Sequence, residues 1–559
     1  MTNKEILNKY FGFDKFKDIQ EKVILNLLAG NNSLCLMPTG GGKSIIYQVA
    51  GIQTRKTTIV ISPLLALMKQ QNKRLAEQGL VTLPYNSSLG DLKTQFNKLK
   101  KSFAEKELPQ FIFVSPEKIL SDGYFEFLIK KNRTKIGLIV IDEVHCISQW
   151  GHSFRPAYKT IPLFIKKVYG IEKLPPILCL TATLNPRDKD EICQDLNISE
   201  SNIFISKSLI RPNLQLNILE QVENNEQKEN QLMQIFNKHK DEKIIVYTHI
   251  KAREYGTREM TKKFQERGFN CHYFDADMQD NEKLSILERF ETGELKIVFA
   301  TSAFGMGIDI PDIRVVVHYL VPESIEQYYQ EVGRAGRDNK PAFGYLLYSE
   351  TNFKIRRDLI KKALLKPERI KDIFDTTIKS TSNTSTTLKR RKETDGNQDS
   401  ERIYSLSRTD IREDNSEMII FLFLLSKGII RLHGKGVQFF DCFENNQSKM
   451  YELMKNASLQ GLVKRIAKKL NRSIEQINHD IFMMYNQNEI KLVKVPVNVL
   501  NYSIEQDITD EIIQELYSSL ELKMDSRLNN FEKLVSLIRS KSNPIKIIID
   551  HLGIQDHYH

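Results

Sequence analysis

Two successive sets of five short apolar runs, each alternating with longer segments of helical period, occupy residues 1 to about 350. Such alternation is the pattern of parallel strands joined by crossover helices. The first set predicts strands at 34–37, 58–62, 111–114, 138–141 and 177–180. The second predicts strands at 243–247, 271–274, 296–300, 315–319 and 344–347. Each set reads as a doubly wound α/β lobe, a fold that binds ligands at the carboxyl ends of its strands. The polar stretch Asn224 to Lys228 suits a hinge that lets the two lobes face each other.

A chain of 559 residues is too long for one core and, at about 100–200 residues per domain, predicts three to five domains. With 41% hydrophobic and 27% charged residues it has ordinary globular composition, which excludes wholesale disorder. Lys and Arg exceed Asp and Glu by 81 minus 70, and this +11 balance favours a polyanionic partner. The six cysteines, at 35, 146, 179, 193, 271 and 442, form no C-x-x-C pair, which points to a reducing compartment. Met1 to Glu5 lead into an amphipathic stretch rather than a signal peptide. No apolar run approaches the roughly 20 residues of a membrane helix, so a soluble, cytoplasmic protein without membrane contact is expected.

Beyond Lys379, the run Ser380 to Thr387 and the tetrad Lys389-Arg390-Arg391-Lys392 read as a flexible linker. The tetrad can touch phosphate, but a solvated charge run fits it better. The pattern then turns helical. Leu459, Leu462, Val463, Ile466 and Leu470 share one face. After a turn at Asn471-Arg472, Ser473 and Gln476 have the form of a capping box that opens a second helix carrying Ile474, Ile477 and Ile481. A β-like stretch from Glu489 to Val495 completes a winged-helix-like order, which an ordinary helical hairpin without DNA contact matches equally well.

Three motifs carry chemistry. In Pro38-Thr39-Gly40-Gly41-Gly42-Lys43-Ser44, the glycines free backbone N–H groups to close around phosphate oxygens. Lys43 can reach the outer phosphates and the Ser44 hydroxyl can ligate magnesium. Met37 stands where the general pattern has its first glycine, and alone the motif fits a glycine-rich turn. The second motif, Asp142-Glu143-Val144-His145, ends a predicted strand. Asp142 suits magnesium binding, and Glu143 suits orienting and deprotonating an attacking water. Third, Arg334 and Arg337 in Gln330 to Asp338 have the form of arginine fingers supplied by the second lobe. Taken alone, they fit a surface helix whose guanidiniums pair with Glu331 and Asp338.

With these motifs in order over residues 11 to 338, the chain resembles the RecQ family of superfamily 2 DNA helicases. Phe16, Lys17 and Gln20 resemble the family's adenine-reading segment, with Lys17 where an arginine is usual. Thr181-Ala182-Thr183 resembles the motif coupling hydrolysis to strand separation. The segment 300–309, with Gly305 and Asp309, resembles the motif joining the nucleotide and nucleic-acid sites. Ser148, Gln149, Trp150, His152, Phe154 and Arg155 resemble the aromatic-rich loop of RecQ enzymes, where Trp150, Phe154 and Arg155 can stack on bases and contact phosphate. Ser153 and Ala157 replace the aspartate and glutamate usual in that loop. Tyr247 to Lys251 stands where a Cys-x-Ser-Arg type sequence is usual, and Asp275 where a histidine is usual. Arg527 to Gly553 resembles the hairpin that leads into the family's four-cysteine zinc module. No cysteine follows Cys442, and His551, His557 and His559 read as tail residues, so a zinc-less short form is expected.

The resemblance implies two tandem RecA-like lobes, at 1–208 and 209–350. A helical extension and basic linker (351–415), a winged-helix-like region (416–505) and a C-terminal helical hairpin (506–559) follow. It implies a monomeric ATP- and magnesium-dependent helicase that moves 3′ to 5′ on single-stranded DNA and unwinds duplex in repair or recombination. The alternative is a DNA-stimulated ATPase that remodels complexes, for example in a defence system, without processive unwinding. RNA remodelling is disfavoured by the aromatic loop.

Overall fold

The computed structural model describes residues 1–379 and 403–551, apart from 39, 64, 87–88, 106–107, 148–155, 171–173, 185, 207–211, 252–254, 303, 305–309, 408–409, 412–414, 438–440, 443–462, 492–497 and 541–542. Lobe 1 is built on a seven-stranded parallel sheet: β1 (Ser33–Leu36), β2 (Thr57–Ile61), β3 (Thr82–Tyr85), β4 (Phe111–Val114), β5 (Ile136–Ile141), β6 (Ile177–Thr181) and β7 (Ile203–Ile205), in the order β3-β4-β2-β5-β6-β1-β7. Lobe 2 contains β8 (Leu214–Ile218), β9 (Lys243–Tyr247), β10 (Cys271–Phe274), β11 (Ile297–Ala300), β12 (Ile313–His318) and β13 (Ala342–Leu346), in the order β10-β11-β9-β12-β13-β8. Their central strands are buried over almost their whole length, as expected of parallel sheets covered by helices on both faces.

The ten strands read from the sequence all belong to these sheets, and the structure adds β3, β7 and β8. The hinge reading at Asn224 to Lys228 is corrected. Because β7 pairs with β1 and β8 with β13, the chain crosses between lobes within 206–213. Asn224 instead caps the helix Asn225–Lys238, its side chain accepting from the Gln227 N–H.

After lobe 2 come β14 (Ile403–Ser407), β15 (Ile430–Val437), β16 (Asp441–Cys442), β17 (Ile490–Lys491) and β18 (Asn498–Ile504). Strands β14, β18 and β15 form an antiparallel sheet. Between β16 and β17 lie the helices Val463–Leu470 and Ile474–Asn486, the second opened by the expected Ser473–Gln476 capping box. Of the β-like stretch 489–495, Ile490 and Lys491 are strand and 492–495 lie outside the described residues. The linker 380–402 with its basic tetrad, Leu459, Leu462, His557 and His559 also lie outside them.

This C-terminal region grips both lobes. Ile477, Ile481, Phe482 and Tyr485 join the core that contains Tyr124, Phe125 and Phe96 of lobe 1. Phe531, Leu534, Val535 and Ile538, from the long helix Asp510–Arg539, join the core of lobe 2 with Phe353 and Tyr328. His551, read as a tail residue, closes the helix Pro544–His551 and bonds Glu326 of lobe 2 at 2.8 Å. That correction has a simple cause: its acceptor lies on a helix more than 200 residues earlier.

Candidate active site

In lobe 1, β6 lies between β1 and β5. The three segments that leave their carboxyl ends, the phosphate loop, Thr181 to Thr183 and Asp142 to His145, are therefore neighbours. Gly40 and Gly42 have φ of +78° and +85°, a region that strongly favours glycine. A β-carbon on Gly42 would lie 2.5 Å from the Gln20 side-chain nitrogen. Gln20, itself buried, donates to the Gly42 carbonyl at 3.0 Å and accepts from the Lys17 N–H at 2.8 Å. The segment expected to read adenine is thus fastened to the loop expected to hold phosphates. Phe16 packs on the adjoining core. Thr39 is not among the described residues.

Lys43 and Ser44 open the helix Lys43–Thr54. The Lys43 ammonium is buried, 3.9 Å from a Glu143 oxygen, and has no hydrogen-bond partner. Asp142 is braced on every side: its N–H bonds the Ile61 carbonyl, Ser62 Oγ lies 3.3 Å from its carboxylate, and Tyr158 Oη donates to its carbonyl at 2.7 Å. Burial, then the neighbouring Glu143 charge, push the Asp142 carboxyl up to about 7 against the pull of Lys43. Glu143 goes the other way. Burial alone would raise it, but Lys43, His145, Arg334 and Arg337 together hold it below the ordinary carboxylate range. Its φ of +51° is a left-handed conformation that costs a β-substituted residue roughly 1–3 kcal/mol and is retained where the surroundings enforce it.

Sequence reasoning missed His145 as a link. Its Nδ1 lies 2.9 Å from Thr181 Oγ1, and Thr181 Oγ1 donates to the Thr183 carbonyl at 2.8 Å. All three side chains are buried, and His145 Nδ1 also stands 3.3 Å from Glu143 Oε2, so the Thr181-Thr183 segment is hydrogen-bonded to the histidine that lies against the acidic pair. The histidine following an acidic pair at a strand end was the available signal.

Lobe 2 reaches this pocket. A β-carbon on Gly40 would stand 3.3 Å from Cγ and 3.4 Å from Cδ of Arg337. Arg334, buried, hydrogen-bonds Tyr247 at the end of β9. The alternative in which both arginines pair with Glu331 and Asp338 on a surface helix does not match: Asp338 pairs with Arg314 at 2.6 Å and Glu331 with His318 at 2.7 Å. Asn213, also missed, donates to the Gly336 carbonyl at 2.8 Å and fixes the turn between the two arginines. Ser148, Gln149, Trp150, His152, Phe154 and Arg155, together with Gly305 and Asp309, lie outside the described residues.

The pocket fits a magnesium nucleoside triphosphate by its own chemistry, with a buried ammonium that makes no hydrogen bond, a loop whose glycines leave no room for β-carbons, and paired carboxylates beside it. The comparisons agree. A DEAD/DEAH box helicase family model matches residues 17–192 and a helicase conserved C-terminal domain model matches residues 227–339. ATP-dependent DNA helicase RecQ of Bacillus subtilis is 36% identical over 363 residues, which cover 64% of this chain and 58% of that protein. RecQ of Pasteurella multocida is 32% identical, covering 66% and 55%. RecS of Bacillus subtilis is 29% identical over 439 residues, covering 78% and 82%. The matched part thus spans little more than half the length of the RecQ proteins. The crystal structure of the DUF1998 helicase MrfA bound to DNA superposes with a TM-score of 0.51 at 18% identity over 62% of this chain and 50% of that one, a likeness of fold. Ordered motifs, two facing lobes and this run of relatives lead to one conclusion: residues 17–339 carry a helicase core of the kind found in the RecQ family of superfamily 2.

Proposed function

We propose that the protein is an ATP- and magnesium-dependent DNA helicase that translocates 3′ to 5′ on single-stranded DNA and separates duplex, acting as a monomer in cytoplasmic DNA repair or recombination. The observation that carries this reading is the approach of Arg337 to Gly40, which brings a lobe 2 cation against the phosphate loop that Lys43, its ammonium free of hydrogen bonds, follows. Among the described residues, no helix is long and apolar enough to cross a membrane.

Lys43 would hold the outer phosphates, and Ser44 and Asp142 would hold magnesium. The bound ion would supply charge that balances the phosphates. Glu143, kept ionised chiefly by the charges of Lys43, Arg334 and Arg337, is suited to accept a proton from an attacking water. Arg334 and Arg337 would stabilise negative charge only when the lobes are together, so closure and turnover are coupled. The His145–Thr181 bond gives a route from Glu143 to the segment expected to follow the DNA strand.

The test is unwinding of a 3′-tailed duplex. Lys43→Ala and Glu143→Gln should each lower DNA-stimulated ATP turnover by at least about 100-fold and abolish strand separation. Activity equal to wild type in both variants removes the assigned roles. The second reading, a DNA-stimulated ATPase without unwinding, is favoured by the burial of Ile477, Ile481 and Phe482 of the winged-helix-like pair against lobe 1 rather than on a free face. DNA-stimulated hydrolysis with no strand separation at any tail geometry would select it.

A further inference from the structure

Behind the arginine-bearing turn, lobe 2 encloses a second cluster that the proposed reaction does not use. His249 follows β9, His318 ends β12, and Glu331 lies in the helix Ile325–Val332, one turn before Arg334. One nitrogen from each imidazole and one carboxylate oxygen of Glu331 lie within 4.8 Å of one another. The side chains are almost wholly buried, at 4%, 0% and 5% exposure. We propose that His249, His318 and Glu331 form a binding site for a late first-row divalent cation of the zinc class, separate from the magnesium position at Ser44 and Asp142.

The distances favour nitrogen and oxygen ligation. His249 Nε2 stands 3.4 Å from Glu331 Oε2, the separation expected of two ligands about 2.1 Å from a tetrahedral ion. Apart from that long approach to Glu331 the buried nitrogen has no hydrogen-bond partner, and the residue's φ of +57° holds a strained backbone conformation at that position. His318 Nε2 is 2.7 Å from the same oxygen, a hydrogen-bonded distance. Entry of the ion would open that contact by about 0.7 Å and move the His318 proton from Nε2 to Nδ1, leaving a neutral imidazole that ligates through Nε2. Part of an outer shell is already built, although His318 Nδ1 has no partner. Gln327 Nε2 donates to Glu331 Oε1 at 3.0 Å, leaving Oε2 for the cluster, and Tyr247 stacks on both imidazoles at 5.5 Å. Two imidazoles with one carboxylate suit zinc, cobalt or nickel and disfavour magnesium, which takes oxygen ligands. A bound ion would fasten three segments of lobe 2 directly beneath the arginines that meet the phosphate loop.

The experiment is titration of chelator-stripped full-length protein with Co2+ and with Zn2+ alone, in millimolar Mg2+. One equivalent of Co2+ should bind, with a visible absorption band that Zn2+ abolishes. X-ray absorption of the wild-type cobalt protein should show two imidazoles and a carboxylate, a readout independent of any variant. His249→Asn should weaken binding by more than the roughly 100-fold that loss of an outer partner costs, and Asp142→Asn should leave it unchanged. Absence of Co2+ binding, equal affinity in wild type and His249→Asn, or a spectrum without two imidazoles would each overturn the site.

Discussion

The C-terminal region holds the two lobes by different means. Against lobe 1 it presents aromatic surface: Phe482 and Tyr485 pack on Tyr124 at 5.5 and 5.2 Å, around one buried carboxylate, Glu126, clasped by Lys435 at 2.7 Å and Lys167 at 2.8 Å. Against lobe 2 it lays an apolar stripe edged by four ion pairs, of which Arg357–Glu532 and Arg539–Glu350 lie nearer to solvent while the other two are largely buried. The four are Arg527–Glu323 at 2.6 Å, Arg357–Glu532 at 2.6 Å, Arg539–Glu350 at 2.7 Å and His551–Glu326 at 2.8 Å. Apolar contact is indifferent to salt, whereas exposed ion pairs weaken as ionic strength rises. Both grips thus rest on buried apolar contact, and the exposed pairs Arg357–Glu532 and Arg539–Glu350 give the grip on lobe 2 the larger fringe that salt can loosen.

Substitutions can break or sharpen this contrast. The largest effect is expected from Phe482→Ala, which empties the aromatic contact and should cost about 3–5 kcal/mol in urea unfolding, with little dependence on salt. Next comes Glu126→Gln, at about 2 kcal/mol at neutral pH, because two lysines lose their shared counter-charge. Burial by itself would raise Glu126, but Lys435 and Lys167 hold it below its ordinary value. The stability this carboxylate contributes is therefore fully present above the unfolded glutamate range and is lost as pH falls through the lower folded value. Repeating the unfolding at descending pH should shrink the difference between wild type and Glu126→Gln. Smallest are the lobe 2 pairs. Arg527→Ala should cost about 1–2 kcal/mol because Glu323 is left partly buried. Arg539→Ala, at an exposed pair, should cost less than about 0.5 kcal/mol and nothing at 1 M salt. A marked salt dependence of Phe482→Ala, or none for Arg539→Ala, would reverse the assignment of the two grips.

Legibility followed range and burial. Central strands such as β5 and β9 are continuous apolar runs, so they were readable. The edge strands β3, β7 and β8 were not: β3 alternates in burial and contains Pro84, and β8 carries Gln215 and Asn217, composition that reads as loop. Lys43, Asp142 and Glu143 were legible because each stands in a short motif at a strand end. The link from His145 to Thr181 was not, since it depends on β6 lying beside β5, a fact of strand order rather than of spacing. The arginine-bearing turn was found, but the clasp on Glu331 by His249 and His318 needs three segments that come together only in the folded sheet. Docking of the C-terminal region was least legible, because Arg527 meets Glu323 across 204 residues and nothing local marks either partner.

One chain segment joins the lobes directly at 206–213, and the C-terminal region spans them a second time. A body suspended from two separate pivots loses most of its freedom to wander. Any movement of one lobe against the other would then have to be a swing about the line between them, in place of a loose, door-like flap.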